Sequence, residues 1–173
     1  MIFRELRLED AEEVERLKSI FDEEGGFKFL GADYVPGEDF AQSLQRISNC
    51  KEEETVPEGK VPFTFLVAEI EGKIAGRISI RHRLNDWYAL VGGHIGYGVV
   101  PEFRGKGIAT SILRYGLEFL RVRGIEEAFI SCKQTNDASR AVIEKCGGVF
   151  AGLVNDPMEN LAEYRTYWIS TRS

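Results

Sequence analysis

The run from residue 94 to residue 120 constrains the fold more than any other stretch. Residues 94–100 read as a strand, and Pro101, which lacks an N–H, marks where its ladder has to stop. Beyond a turn that contains Gly105 and Gly107, the residues Ile108, Ile112, Leu113, Leu117 and Leu120 recur on one helical stripe, which ends before Gly124. Strand, tight turn and amphipathic helix in that order make a unit whose helix has to lie back on the sheet.

The flanking sequence extends this unit in both directions. Residues 61–70 and 73–82 are two β-rich segments joined at Glu71-Gly72, a connection that suits a hairpin. Further strands are expected at 2–8, 126–132, 149–154 and 164–170. Asp10, with Glu13 three residues on, has the layout of a capping box for a helix that carries Ala11, Val14, Leu17 and Phe21 and ends at Gly25-Gly26. A second amphipathic stretch, marked by Phe40, Leu44 and Ile47, follows the turn Pro36-Gly37, and a short helix over 137–146 is closed by Gly147-Gly148. Residues 51–60 are charged, contain Pro57 and Gly59 and read as an exposed loop. The fold class is therefore α/β, with helices flanking a mixed, mostly antiparallel central sheet. No repeat or linker divides the sequence, so residues 1–173 are expected to form one domain.

Composition narrows the function classes. A length of 173 residues, 43% of them hydrophobic, is enough to bury a core without disulfides or a structural metal. The net charge of −6 argues against a nucleic-acid partner, which calls for a basic stripe. No apolar run approaches the roughly 18 to 20 residues of a bilayer span, and the N-terminus lacks a signal-peptide layout, so no membrane contact and a cytoplasmic location are expected. Cys50, Cys132 and Cys146 show no paired spacing and read as reduced thiols, with no metal site.

The chemistry is concentrated in Arg104-Gly105-Lys106-Gly107-Ile108-Ala109. Two glycines let the backbone turn sharply and approach a ligand closely. The first helical turn, through Thr110, adds N–H groups without helical partners and a partial positive charge, which suit a phosphate or pyrophosphate. Arg104 and Lys106 bring full charges. The spacing is neither a nucleotide P-loop nor the dinucleotide fingerprint.

Arg104, Gly107 and Ala109 meet the pattern of the GNAT acetyltransferase superfamily, and the sequence resembles that family at the next element too. There Asn136-Asp137-Ala138-Ser139-Arg140-Ala141-Val142-Ile143-Glu144-Lys145-Cys146-Gly147 is similar to its Asn, small residue, Glu-Lys, Gly helix. The resemblance continues through Arg77-Ile78-Ser79-Ile80 and Tyr167-Trp168-Ile169. It implies that residues 104–109 hold the pyrophosphate of acetyl-CoA, that the backbone of Val99 and Val100 pairs with the pantetheine arm, and that Asn136 and Ser139 lie along it. Arg140 would join Arg104 and Lys106 in attracting the anionic cofactor. The implied reaction is transfer of acetyl to a primary amine of a small molecule or peptide, by direct attack in a ternary complex, with a homodimer left open.

One position departs from the family. Many members carry a tyrosine seven residues after the Asn, where it protonates the leaving thiolate, but Ile143 stands there. The positions where the family carries its base are Gly93 and Ile95, which cannot titrate. His94 lies between them with opposite strand parity: it either packs, or serves as base if a bulge turns it inward. Tyr97 shares the face of Ile95 and is the candidate acid, with packing as its other reading. Cys132 ends the neighbouring strand, and His82 reads as a surface residue. Phe27, Phe29 and Tyr34 are candidates for the acceptor pocket, while Tyr164, Tyr167 and Trp168 are expected in the core by default, with an aromatic wall around the acceptor as their other reading. An acyl-CoA-binding sensor without turnover is the competing function, favoured by Ile143 and the empty base positions.

Overall fold

Alternation along the central hairpin sets the layers. The computed structural model describes residues 1–25, 28–30 and 37–172, so Gly26, Phe27, Tyr34 and Pro36 lie outside the described residues. Strands β2 (Phe63–Ile70) and β3 (Lys73–Arg81) pair antiparallel through Glu71 and Gly72, whose φ values of 50° and 76° are those of a hairpin turn. Phe63, Phe65 and Val67 face one side, and Leu66 and Ala68 the other.

Each face has its own helices. Val14, Leu17 and Phe21 of α1 (Ala11–Glu24) and Ile47 of α2 (Phe40–Asn49) bury with the first set. Ile112, Leu113, Leu117 and Leu120 of α3 (Ile108–Val122) bury with the second, together with Ile143 of α4 (Asp137–Lys145). Gly116 brings α3 close to the sheet, since a Cβ there would stand 2.7 Å from Ile78 Cδ1 and 2.9 Å from Ile95 Cδ1.

Strands β1 (Ile2–Arg4) and β4 (Ile95–Val99) complete a sheet of order β1-β2-β3-β4. Strands β5 (Glu127–Lys133), β6 (Val149–Asp156) and β7 (Ala162–Ser170) form a second, of order β5-β7-β6. The α/β class with helices around antiparallel strands holds. Every ladder among the described residues is antiparallel, and β4 and β5 lie side by side without one, so the strands divide into two sheets.

Three local expectations change. The first strand stops at Arg4, where the backbone leaves for a 3-10 turn (Leu8–Asp10). Asp10 closes that turn instead of capping α1. Its carboxylate accepts from the Arg7 N–H at 2.7 Å and from the Arg4 guanidinium at 2.7 and 2.8 Å, while Glu13 pairs with Arg16. Of the three aromatics on β7, only Tyr167 is fully buried; Trp168 is 43% exposed beside Phe129, and the Tyr164 hydroxyl donates to Glu159. Among the described residues no helix is long and apolar enough to cross a membrane, and no cluster of residues could hold a metal ion.

Candidate functional site

Where β4 ends, Val100 donates its N–H to the Ala75 carbonyl (2.9 Å) and accepts from the Phe103 N–H (2.9 Å). A 3-10 turn (Pro101–Phe103) then swings the backbone away, and Gly105 and Gly107 continue it at φ 74° and 78°, a region side chains rarely adopt. From residue 105 through residue 110 no backbone N–H has an acceptor among the described residues, and the first helical bond runs from Ser111 to Gly107. Consecutive free donors at the start of α3 make a cradle for an anion.

The cradle opens into a cleft of about 650 Å³. One wall is β4 at Tyr97, Gly98 and Val99; another is α4 through Ala138, Ser139, Val142 and Lys145; a third is the end of α1 through Phe21 and Glu24. The β3–β4 register directs the backbone groups of Gly98 and Val100 at β3, so those of Tyr97 and Val99 face away from it. Arg104 spans this opening. Its Nε donates to the Val99 carbonyl at 3.0 Å, and its two terminal nitrogens meet the Glu24 carboxylate at 2.7 Å each. That fork holds the Glu24 carboxyl below its ordinary range.

At the inner end, the Tyr97 hydroxyl lies 3.0 Å from Ser139 Oγ, and burial pushes its pKa up to about 12. Cys132, close enough to act on Tyr97 electrostatically, is raised to about 11 by the same burial and is no thiolate at neutral pH. His94 is buried among backbone. Its Nδ1 accepts from the Phe129 N–H at 2.9 Å, and burial, aided by Arg81, lowers its pKa to about 4. Ile143 is fully buried in the core beneath α4, so that position does not face the cleft. His82 is not a free surface residue: its Nε2 lies 2.9 Å from Thr64 Oγ1.

The model of the acetyltransferase (GNAT) domain matches residues 1–149. The protein belongs to the GNAT acetyltransferase family. An acetyltransferase of Pectobacterium atrosepticum is 33% identical over 87 residues, which span 49% of this sequence and 56% of that protein. The match thus takes in little more than half the length of that relative. Mycobacterium smegmatis RimJ in complex with CoA-disulfide superposes with a TM-score of 0.69 at 21% identity, over 97% of this protein and 80% of that one. A ribosomal-protein-alanine N-acetyltransferase of Brucella melitensis gives 0.68 at 19% identity, over 98% and 99%. Likeness at these identities is a likeness of fold.

With the family motifs set on this geometry, Tyr97, Val99, Arg104, Gly105, Gly107, Ile108, Ala109, Thr110, Asn136 and Ser139 all border the one cleft. Four expected residues do not, the first being His94, which is buried among backbone. Val100 has both backbone groups committed, to β3 and to the following turn. Lys106 turns back to the Glu102 carbonyl at 3.0 Å and over the Phe103 ring. Arg140 pairs with Asp137 at 3.3 Å on the outer side of α4. The amide of Asn136 caps α4, its oxygen accepting from the Ser139 N–H at 3.0 Å, so it orders the helix start that borders the cleft. The sequence pattern did not single out Phe21, Glu24 and Lys145 for the cleft. Lys145 was within reach, since Ala138, Val142 and Lys145 follow one helical face; Glu24 was not, because its partner lies 80 residues away.

Proposed function

We propose that this cleft binds acetyl-CoA and that the protein transfers its acetyl group to a primary amine of a small molecule or peptide, by direct attack in a ternary complex. The observation that carries the reading is the run of unpartnered amides from residue 105 to residue 110, opening onto a cleft that follows the free edge of β4 to Tyr97. The pyrophosphate takes the amides and the helix start. Pantetheine brings amides of its own, which the outward backbone groups of Tyr97 and the Val99 N–H satisfy as an added strand would, the Val99 carbonyl already accepting from Arg104 Nε. The thioester then reaches Tyr97. The reading implies a cytoplasmic setting, in keeping with three free cysteines.

The protein acts mainly by positioning, because the thioester is already activated and orientation supplies much of the rate. Gly93 and Ile95 carry no proton acceptor, and the Nδ1 of His94 is engaged, so the ammonium proton leaves to water. Attack forms the C–N bond, the nitrogen of the tetrahedral intermediate gives its extra proton to water, and collapse breaks the C–S bond while Tyr97 O–H supplies the proton that leaves CoA as a thiol, the phenolate then regaining a proton from water. A covalent step on Cys132 is disfavoured by its raised pKa. Thiol release from acetyl-CoA in the presence of an amine panel tests the whole reading; tight binding without release on any amine would leave a sensor instead.

The cradle and its Arg104–Glu24 wall each make a binding result expected. Gly107→Val forces a branched residue to φ 78° and projects it into the space the phosphate needs, so acetyl-CoA affinity should fall at least about 10-fold in a folded variant. Calorimetry showing an unchanged Kd would remove the pyrophosphate from this turn. Glu24 adds a negative charge to the cleft wall that Arg104 has to neutralise. Glu24→Gln should therefore tighten acetyl-CoA binding by about 2- to 5-fold at low salt, and the gain should shrink as salt screens it. A loss of affinity, or a gain indifferent to salt, would show that the pair acts as a strut and not through its field.

A further inference from the structure

His94 does something at the parting of the two sheets that neither packing nor base chemistry describes. Its backbone carbonyl accepts from the Arg81 N–H of β3 at 2.8 Å, while its N–H turns the other way and donates to the Phe129 carbonyl of β5 at 2.7 Å. Its ring then accepts the Phe129 N–H at 2.9 Å. One residue thus satisfies both backbone groups of Phe129, which a paired strand would otherwise do. Beyond it β4 and β5 share no ladder.

We propose that His94 is a positioning residue that clasps β5 to β4 at Phe129 and thereby sets the gap into which the thioester reaches. The proposal rests on the acetyl-CoA reading only for what occupies the gap. The surroundings fix the clasp from behind. Gly93, at φ 63°, lets the backbone lie against β5, where a Cβ would stand 2.5 Å from the Phe129 carbonyl oxygen. The Arg81 guanidinium ties down the carbonyls of Gly92 and Gly93 at 3.2 and 3.1 Å and covers the Tyr88 ring. Ser131 of β5 donates to the Val91 carbonyl, so the π turn (Tyr88–Gly92) is sewn to the same strand. Among the described residues, the clasp is the contact that reaches from the start of β4 to the backbone N–H and carbonyl of Phe129. Because Nδ1 is the acceptor, the ring is neutral and carries its proton on Nε2.

Tyr97 lies three residues along β4 from this point and Cys132 three along β5 from Phe129, so a change of angle at His94 moves the two walls of the gap apart. An error of about 1 Å at a reacting centre is enough to cost roughly 100-fold in rate.

The test compares His94→Ala, His94→Asn and His94→Gln in the full-length protein. Asparagine carries an acceptor oxygen at the reach of Nδ1 and nothing that titrates, whereas glutamine carries it one bond too far. The first readout is hydrogen exchange at the Phe129 amide in the free protein. His94→Ala and His94→Gln are expected to speed it by about 10- to 100-fold, as loss of a buried partner does, and His94→Asn by less than about 3-fold. The second is steady-state acetyl transfer. Alanine and glutamine should lower kcat by about 10-fold or more with acetyl-CoA Kd within about 2-fold of the parent, and asparagine should restore kcat to within about 3-fold. Two results overturn the proposal: an unchanged Phe129 exchange rate in the alanine or glutamine variant, or an asparagine variant as slow in turnover as they are, which would make the ring a chemical participant. Should alanine fail to fold, asparagine against glutamine decides. Exchange is read without ligand, so a parent that fails to bind acetyl-CoA defeats the functional reading and leaves the clasp to be judged on exchange.

Discussion

Replacing Tyr97 by phenylalanine is expected to slow acetyl transfer by about 10²- to 10⁴-fold, the share that general acid catalysis supplies, with acetyl-CoA affinity nearly unchanged. A phenol at about 12 looks too weak an acid for a thiolate, whose ordinary pKa is near 8.5. Cys132 answers the objection. Burial pushes that thiol up as it does the phenol, so a thiolate released in the same surroundings is also made a stronger base, which narrows its mismatch with the phenol. Burial that weakens the acid strengthens the base it has to serve. Phenylalanine keeps the ring that packs against the core and loses only the hydroxyl and its Ser139 contact, which should cost about 1 kcal/mol of stability. Single-turnover kinetics with a true acceptor separate chemistry from release. Turnover within a few-fold of the parent would mean that the thiolate leaves unaided.

What the sequence made legible is what short-range rules decide. The Glu71-Gly72 hairpin, the apolar stripe of α3 and the glycine turn before it follow from two or three neighbouring residues, and each stands where it was expected. The misses share a cause. Asp10 has the right spacing for a helix cap, but Arg4 and the Arg7 N–H compete for its carboxylate and win, because two charge-assisted bonds outweigh one cap. Strand parity separates Val99 from Val100, yet parity alone does not say which edge is already taken by β3. Lys106 and Arg140 carry the right charge, but the aim of a long side chain is set by tertiary neighbours, here the Glu102 carbonyl and Asp137. The sheet divides where His94 bonds to a strand 35 residues further on, which no local pattern announces.

Acid should destabilise the fold well before its carboxylates titrate. The sequence has two histidines, and both are held neutral: burial lowers His94 to about 4, with Arg81 facing it, and lowers His82 to about 4, with Arg123 adding to the effect and Glu53 opposing it. In the unfolded state each takes a proton near pH 6.5. As pH falls from about 6.5 to about 4, the unfolded state therefore binds protons that the folded state refuses, and stability is lost across that window. For His94, 7% exposed, a shift of this size corresponds to about 3 kcal/mol; His82, less buried, adds a smaller share. The depressed carboxylates, such as Glu24 beside Arg104 and Glu38 beside Arg46, begin to act only at the acid end of this window, near the ordinary value of 4.5, and lose their share below it. Against a total stability of roughly 5 to 15 kcal/mol, the histidines remove a substantial share of it by pH 4. Urea unfolding at pH 7, 5.5 and 4.5 should show the loss, and His94→Asn, which removes the titration and keeps an acceptor for Phe129, should flatten the slope by roughly half or more. A stability that stays level between pH 6.5 and 4.5 in the parent would mean that the rings are open to protonation in the folded state, and that the strands at Phe129 are held together by something else.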